Sequence, residues 1–103
     1  MKLSSNQPSV IHDTERRLFE IRLSPDAPPA FLEYAVAGDH VVFKHTFVPE
    51  ALRGQGLAAH LVRAALAEAR RAGWKVIPRC SYVATFIQRH PEFADLITST
   101  NQL

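Results

Sequence analysis

The chain has 103 residues, 47% of them hydrophobic, with a formal net charge of +2 and a single cysteine. That length suits one domain with a small core, and one cysteine excludes an internal disulfide framework. The basic residues are scattered, which gives no direct support for nucleic-acid binding, and no run approaches the roughly 18 apolar residues of a membrane span.

Residues 1–8 lack the apolar core of a signal peptide and read as a flexible lead. With a lone thiol suited to a reducing compartment, the expected location is cytoplasmic. Residues 9–12 form a short strand, and Asp13-Thr14-Glu15 a turn. Leu18, Phe19, Ile21 and Leu23 suggest the next strand. Ser24-Pro25-Asp26-Ala27-Pro28-Pro29 is a loop that cannot stay helical. Residues 30–36 form a strand, Ala37-Gly38-Asp39 a hairpin turn, and residues 40–48 a long strand. A helix from about Gly54 to Ala72 carries Leu57, Leu61, Val62, Ala65, Leu66 and Ala69 as one apolar stripe. Gly73 falls at its C′ position. A strand at 75–79 and a helix at 81–90 follow, the latter stopped by Pro91. Residues 98–103 form a polar tail, which leaves 9–97 as the domain. The order β-β-β-β-α-β-α predicts an α+β fold with a mixed sheet: antiparallel hairpins first, a β-α-β-α unit last.

The most informative stretch joins the fourth strand to the long helix, at Arg53-Gly54-Gln55-Gly56-Leu57-Ala58. Glycines at a strand-to-helix junction let the backbone approach a ligand closely. The first N–H groups of a helix lack intrahelical partners, and the macrodipole there favours negative charge. This is an anion cradle suited to phosphate or pyrophosphate, with Arg53 adding a cationic fork. Gly54-Gln55-Gly56-Leu57-Ala58-Ala59 formally fits the dinucleotide fingerprint G-x-G-x-x-A. That fold needs the loop after its first strand and an acidic residue roughly 20 positions on. Here about half the chain precedes the loop, and the strand at 76–80 ends without an acid. The Walker pattern G-x-x-x-x-G-K-[ST] is absent. A glycine turn that merely starts a helix is the remaining alternative.

The same residues fit R-x-x-G-x-A, and on that motif the chain resembles the GNAT superfamily of acetyl-coenzyme A transferases. H-T-F-V-P-E-A-L-R-G-Q-G-L-A at 45–58, P-R-C-S-Y-V at 78–83 and Q-R-H-P-E-F at 88–93 are similar, in order, to a group of minimal GNAT-like proteins of about this length. The resemblance implies acetyl-CoA as co-substrate, with its pyrophosphate on the N–H groups of Arg53, Gly54, Gln55, Gly56, Leu57 and Ala58. It implies a pantetheine arm beside Phe47 and Val48, and a thioester in the gap where strands 41–48 and 76–80 splay apart, near His45 and Cys80. The chain departs from the family in two places. Members carry helices between their first two strands, where this chain has only the loop at 24–29, so the acceptor side should be open or completed by a partner. Members often place a tyrosine acid on the last helix, where the nearest register here puts Gln88; Tyr82 lies earlier.

Cys80 and His45 are the catalytic candidates. A thiol at a helix N-terminus beside Arg79 is disposed towards thiolate and could relay the acetyl group. A small buried apolar residue is the alternative. Histidine is the side chain most often used as a general base, which makes His45 the candidate. Alternation places Val41, Phe43, His45 and Phe47 on one core face, so a core histidine is its alternative. A bulge near Val48 would re-aim that strand end. No histidine pairs with the cysteine at metal-site spacing, so no metal is expected. The expected function is acetyl transfer from coenzyme A to an amine acceptor, directly or through the cysteine. A non-catalytic coenzyme A-binding or interaction module is the alternative, and homo-oligomerisation stays open.

Overall fold

The computed structural model describes residues 9–97, and the expected lead at 1–8 and tail at 98–103 lie outside them. Five strands form one sheet in the order β1(Ile11–Asp13), β2(Leu18–Ile21), β3(Ala30–Ala37), β4(His40–Phe47), β5(Lys75–Pro78). The first four pair antiparallel and β4 pairs with β5 parallel. Helices α1(Leu57–Ala72) and α2(Ser81–Arg89) flank β5 in sequence, and 3₁₀ turns follow β4 at Glu50–Leu52 and α2 at Pro91–Leu96. The α+β order read from the sequence is the order observed.

Alternation decides which side of the sheet the helices cover. Phe19 and Ile21, then Ala30, Leu32 and Tyr34, then Val41 and Phe43, then Val76 point to one face and are buried. The stripe Leu57, Leu61, Val62, Ala65, Leu66 and Ala69 of α1 packs into the same cluster with Val83, Phe86 and Ile87 of α2. Each fully buried valine, leucine, isoleucine or phenylalanine among them contributes about 1.5–3 kcal/mol by leaving water. Leu18, Glu20, Phe31 and Glu33 take the other face, by the pairing of Leu18 with Glu33 and of Glu20 with Phe31.

Local chemistry sets the element ends. Strand β2 stops at Ile21, short of Leu23, because its partner strand begins at Ala30 and Pro28-Pro29 before it cannot extend a ladder. Leu23 is exposed instead of joining the row. Helix α1 starts at Leu57, later than expected, because Gly54 and Gly56 hold left-handed φ values of 87° and 77° that no α-helix includes. Gly73 closes the helix, its N–H bonding back to Ala69 and Arg70.

The sheet departs from the expected alternation in the middle of β4. Tyr34 pairs with Phe43, but Glu33 pairs with His45, so Lys44 is an extra residue. The bulge sits there and not near Val48. One extra residue inverts the faces beyond it. Thr46 therefore faces the helices beside Leu32. His45 and Phe47 turn to the outer face beside Phe31, with ring centroids 6.1 and 5.5 Å away. The core face expected for His45 and Phe47 is thus corrected: His45 is exposed.

At the far end of the sheet His12 stacks on Phe19 at 4.1 Å, and its Nε2 lies 2.6 Å from the Tyr34 hydroxyl. Burial holds the His12 imidazole below its usual range, against the opposing pull of Glu68 and Asp13 and with a smaller push from Arg71. A depressed folded-state value means that protonation favours the unfolded chain. The stabilisation is therefore complete above the ordinary histidine range and is lost as pH falls through it. Thermal melts should show Tm dropping between pH 7.5 and 5.5, with a shallower drop in His12→Gln; equal slopes would remove this account.

Candidate functional site

The ladder between β4 and β5 runs only from His40–Lys75 to Phe43–Pro78. Its last bond comes from the Cys80 N–H, which donates to the Phe43 carbonyl at 2.9 Å. Proline has no N–H to offer, and beyond Pro78 the chain turns into α2. Strand β4 continues to Phe47, so the two strands part there.

A groove of about 510 Å³ opens at that parting. One wall is the free end of β4, with His45, Thr46, Phe47 and Val48; the other is the loop and first turn of α1, with Leu52, Arg53, Gly54, Gly56, Leu57, Ala58 and Ala59. Tyr82, in the first turn of α2 and 41% exposed, closes one side. The first intrahelical bond of α1 runs from the His60 N–H to the Gly56 carbonyl at 3.0 Å, so the N–H groups before it face the groove end without helical acceptors. A Cβ on Gly54 or Gly56 would meet nothing within 4 Å. The space above the loop is open, and it is the left-handed backbone that requires glycine.

Arg53 braces the junction. Its Nε donates to the Val48 carbonyl at 3.0 Å, tying the start of the helix loop to the end of β4.

Of the residues expected from sequence, His45, Phe47, Val48, Arg53, Gly54, Gly56, Leu57 and Ala58 line this one groove. Gln55 is exposed at the loop apex and lies outside the lining. Cys80 stands one side chain away: it is half-buried, packs on the core, and has its Sγ 3.5 Å from Thr46 Oγ1. Thr46, Leu52, Ala59 and Tyr82 complete the lining and were not anticipated. The bulge at Lys44 brings Thr46 round to the helix side, where unbroken alternation would have turned it to the outer face. Gln88 is exposed on α2 and is not part of the groove.

His45 and Cys80 approach the end of β4 from opposite sides of the sheet. His45 lies outside, cross-strand from Glu33; Cys80 lies on the helix side, against Thr46. Burial alone would push the Cys80 thiol up. Hydrogen bonds from the Thr46 hydroxyl and from the backbone N–H groups of Val83, Tyr82 and Thr46 outweigh it and leave the thiol below its usual range. Two of those donors belong to the first turn of α2, where a helix favours an anion. Among the described residues no three metal-ligating side chains lie together, and no helix is long and apolar enough to cross a membrane.

Comparison with known proteins identifies the family. A profile described as GCN5-related N-acetyl-transferase matches residues 18–96. The chain belongs to the GCN5-related N-acetyltransferase family. It is 37% identical over 83 residues to protein NATD1 of Mus musculus, covering 80% of this chain and 76% of that one. The likeness to NATD1 of Danio rerio is 36% over 96 residues, covering 90% and 87%. A solution NMR structure of a GCN5-like protein from Staphylococcus aureus superposes with a TM-score of 0.70 at 24% identity, covering 93% of this chain and 92% of that chain. That likeness speaks for the fold.

The thiol at the head of α2 gives a direct test. Alkylation of Cys80, the one cysteine present, should reach half its maximal rate below the pH of about 8.5 typical of a free thiol. Thr46→Val should move that midpoint upward. A midpoint at or above the ordinary value in the wild type would refute the hydrogen-bonded thiolate.

Proposed function

We propose that the groove binds acetyl-coenzyme A and that the protein transfers its acetyl group to an amine. The observation that carries this reading is the union, in one cavity, of a strand end free on its β5-side edge with a glycine-opened helix N-terminus. A diphosphate fits the second feature. An extended, amide-bearing arm fits the first, because a free strand edge offers unpaired backbone groups. Coenzyme A is a molecule built of those two parts in sequence.

In this reading the pyrophosphate rests on the N–H groups from Arg53 to Ala58, and the arm lies along Phe47 and Val48. The thioester then reaches the fork beside Thr46, between His45 and Cys80. In direct transfer, His45 accepts a proton from the amine, the amine nitrogen attacks the thioester carbonyl, and the carbon–sulfur bond breaks to release coenzyme A as thiolate. The thiolate takes up a proton, and the exposed Tyr82 phenol stands in the groove as its donor. In the relay, the Cys80 thiolate attacks first and coenzyme A leaves as thiolate; the amine, giving a proton to His45, then attacks the acetyl-cysteine, and the carbonyl–Sγ bond breaks to restore the Cys80 thiolate. The amine comes from the outer face, which the short 24–29 loop leaves uncovered. His45 already stands on that face, which favours direct transfer.

A second reading, a coenzyme A-binding module without turnover, draws on Gln88. It occupies the register of the usual tyrosine acid and lies outside the groove. Turnover on an amine panel, read as release of free thiol, separates the two.

Binding is tested first. Calorimetry should find coenzyme A bound by the wild type and not by a folded Gly56→Val protein, whose branched side chain crosses the phosphate path and resists the turn. Arg53→Ala should weaken binding less, since one charge-assisted contact contributes about 1.5–3 kcal/mol. Wild-type affinity in Gly56→Val would refute the placement.

Mechanism is tested next. For direct transfer, His45→Ala should lower the rate about 10²–10⁴-fold, and Cys80→Ser should cost little. For a relay, Cys80→Ser should lose most turnover while keeping coenzyme A binding, because a hydroxyl without a strong base is a poor nucleophile. Wild-type rates in both variants on a verified acceptor would dismiss both assignments.

A further inference from the structure

The uncovered face of the sheet carries an amine of the chain's own at the mouth of the fork. Phe43 is the last β4 residue in the ladder with β5, so Lys44 is the first whose β5-side edge is free. Lys44 is also the extra residue of the bulge. Phe43 is fully buried on the helix side, and alternation turns Lys44 to the outer face. The bulge then sends His45 to that same face. Consecutive residues of a regular strand point to opposite faces. The insertion therefore sets an ammonium group beside the imidazole, on the side from which an acceptor comes.

Lys44 is exposed, and among the described residues no ion pair or hydrogen bond holds its side chain. Glu33 is the nearest acid across the strands, paired in register with His45. Arg16 and Arg22, by contrast, both pair with Glu20. Lys44 stands at the rim, outside the groove lining, so it leaves the cofactor's path open. A strand rises about 3.3 Å per residue, which puts Thr46 about 7 Å farther along β4. The four-carbon lysine stem extends about 6 Å. Its Nζ can therefore reach the fork beside Thr46 from the outer face. Cys80 approaches Thr46 from the helix side.

We propose that Lys44 is a self-acetylation site, modified by the acetyl-coenzyme A bound in the same molecule when no external amine is present. The proposal rests on the reading of the groove as an acetyl-coenzyme A site and names an acceptor within the chain. His45 takes one proton from the Lys44 ammonium group, and the neutral Nζ attacks the thioester carbonyl. The carbon–sulfur bond breaks and coenzyme A leaves as thiolate. A second nitrogen proton passes to that thiolate. The products are acetyl-lysine, free coenzyme A and one proton on His45. The step is direct, because Cys80 lies on the other side of the sheet. It removes a positive charge from the approach that an external, positively charged amine must use.

The test incubates the full wild-type chain with acetyl-coenzyme A in amine-free buffer and follows each lysine by peptide mass spectrometry. Lys75, exposed at the opposite end of the β4–β5 ladder, reports background acetylation by free thioester in the same sample. Lys44 should gain acetyl at least about tenfold faster than Lys75, as a group held beside a bound donor should. Its rate should saturate with acetyl-coenzyme A and fall when coenzyme A is added as competitor, while the Lys75 rate does neither. The Lys44 rate per molecule should be unchanged when the protein is diluted about tenfold, since the transfer is intramolecular. Equal rates at the two lysines, in a protein that calorimetry shows to bind coenzyme A, overturn the proposal and leave the groove reading in place. A Lys44 rate that drops on dilution marks transfer between molecules and also overturns it. A wild type that binds no coenzyme A overturns both.

Discussion

The last hydrogen bond of the parallel ladder, from the Cys80 N–H to the Phe43 carbonyl, is the constraint on which the site depends. Up to that bond, β4 and β5 are ordinary neighbours in a sheet. Past it, β5 has given its final residues to a proline and a turn, and β4 goes on with β3 as its one strand neighbour. A strand edge without a partner is a liability unless something covers it. Here α1 begins beside it and Arg53 ties the two together through the Val48 carbonyl. The cavity follows from a ladder that stops early beside a helix that starts late.

The bulge at Lys44 then assigns side chains to the two sides of that opening. One inserted residue sends Thr46 towards Cys80 and the helices, and His45 and Phe47 towards the uncovered face. A thiol supported by helix N–H groups and an imidazole open to solvent thus flank the same strand end from opposite directions. An unbulged β4 would have buried His45 in the core and turned Thr46 away from Cys80.

The helices provide the rest of the surface. Two left-handed glycines delay the start of α1 and leave its first N–H groups facing the groove. Farther along, Arg63 is held over Phe86 and Phe93, and His90 stacks on the same Phe86. Aromatic side chains that close the core from below therefore also order the polar groups above. Stability and site are coupled at α2, whose inner face packs in the cluster and whose first turn donates to Cys80.

Much of this was legible in the sequence. Alternating apolar residues and turn signals place the strands, a 3.6-residue apolar stripe places α1, and Arg53-Gly54-Gln55-Gly56 marks the glycine turn that opens it. These are local properties: backbone sterics and periodicity act within a few residues, so a linear reading reaches them. The family likeness rests on the same short segments. The orientation of His45, the approach of Thr46 to Cys80 and the entry of Tyr82 into the groove were decided only by tertiary structure. Each depends on where one chain segment sits against another. The extra residue at Lys44 exists only relative to β3, since a bulge is a mismatch between two strands and neither strand contains it alone.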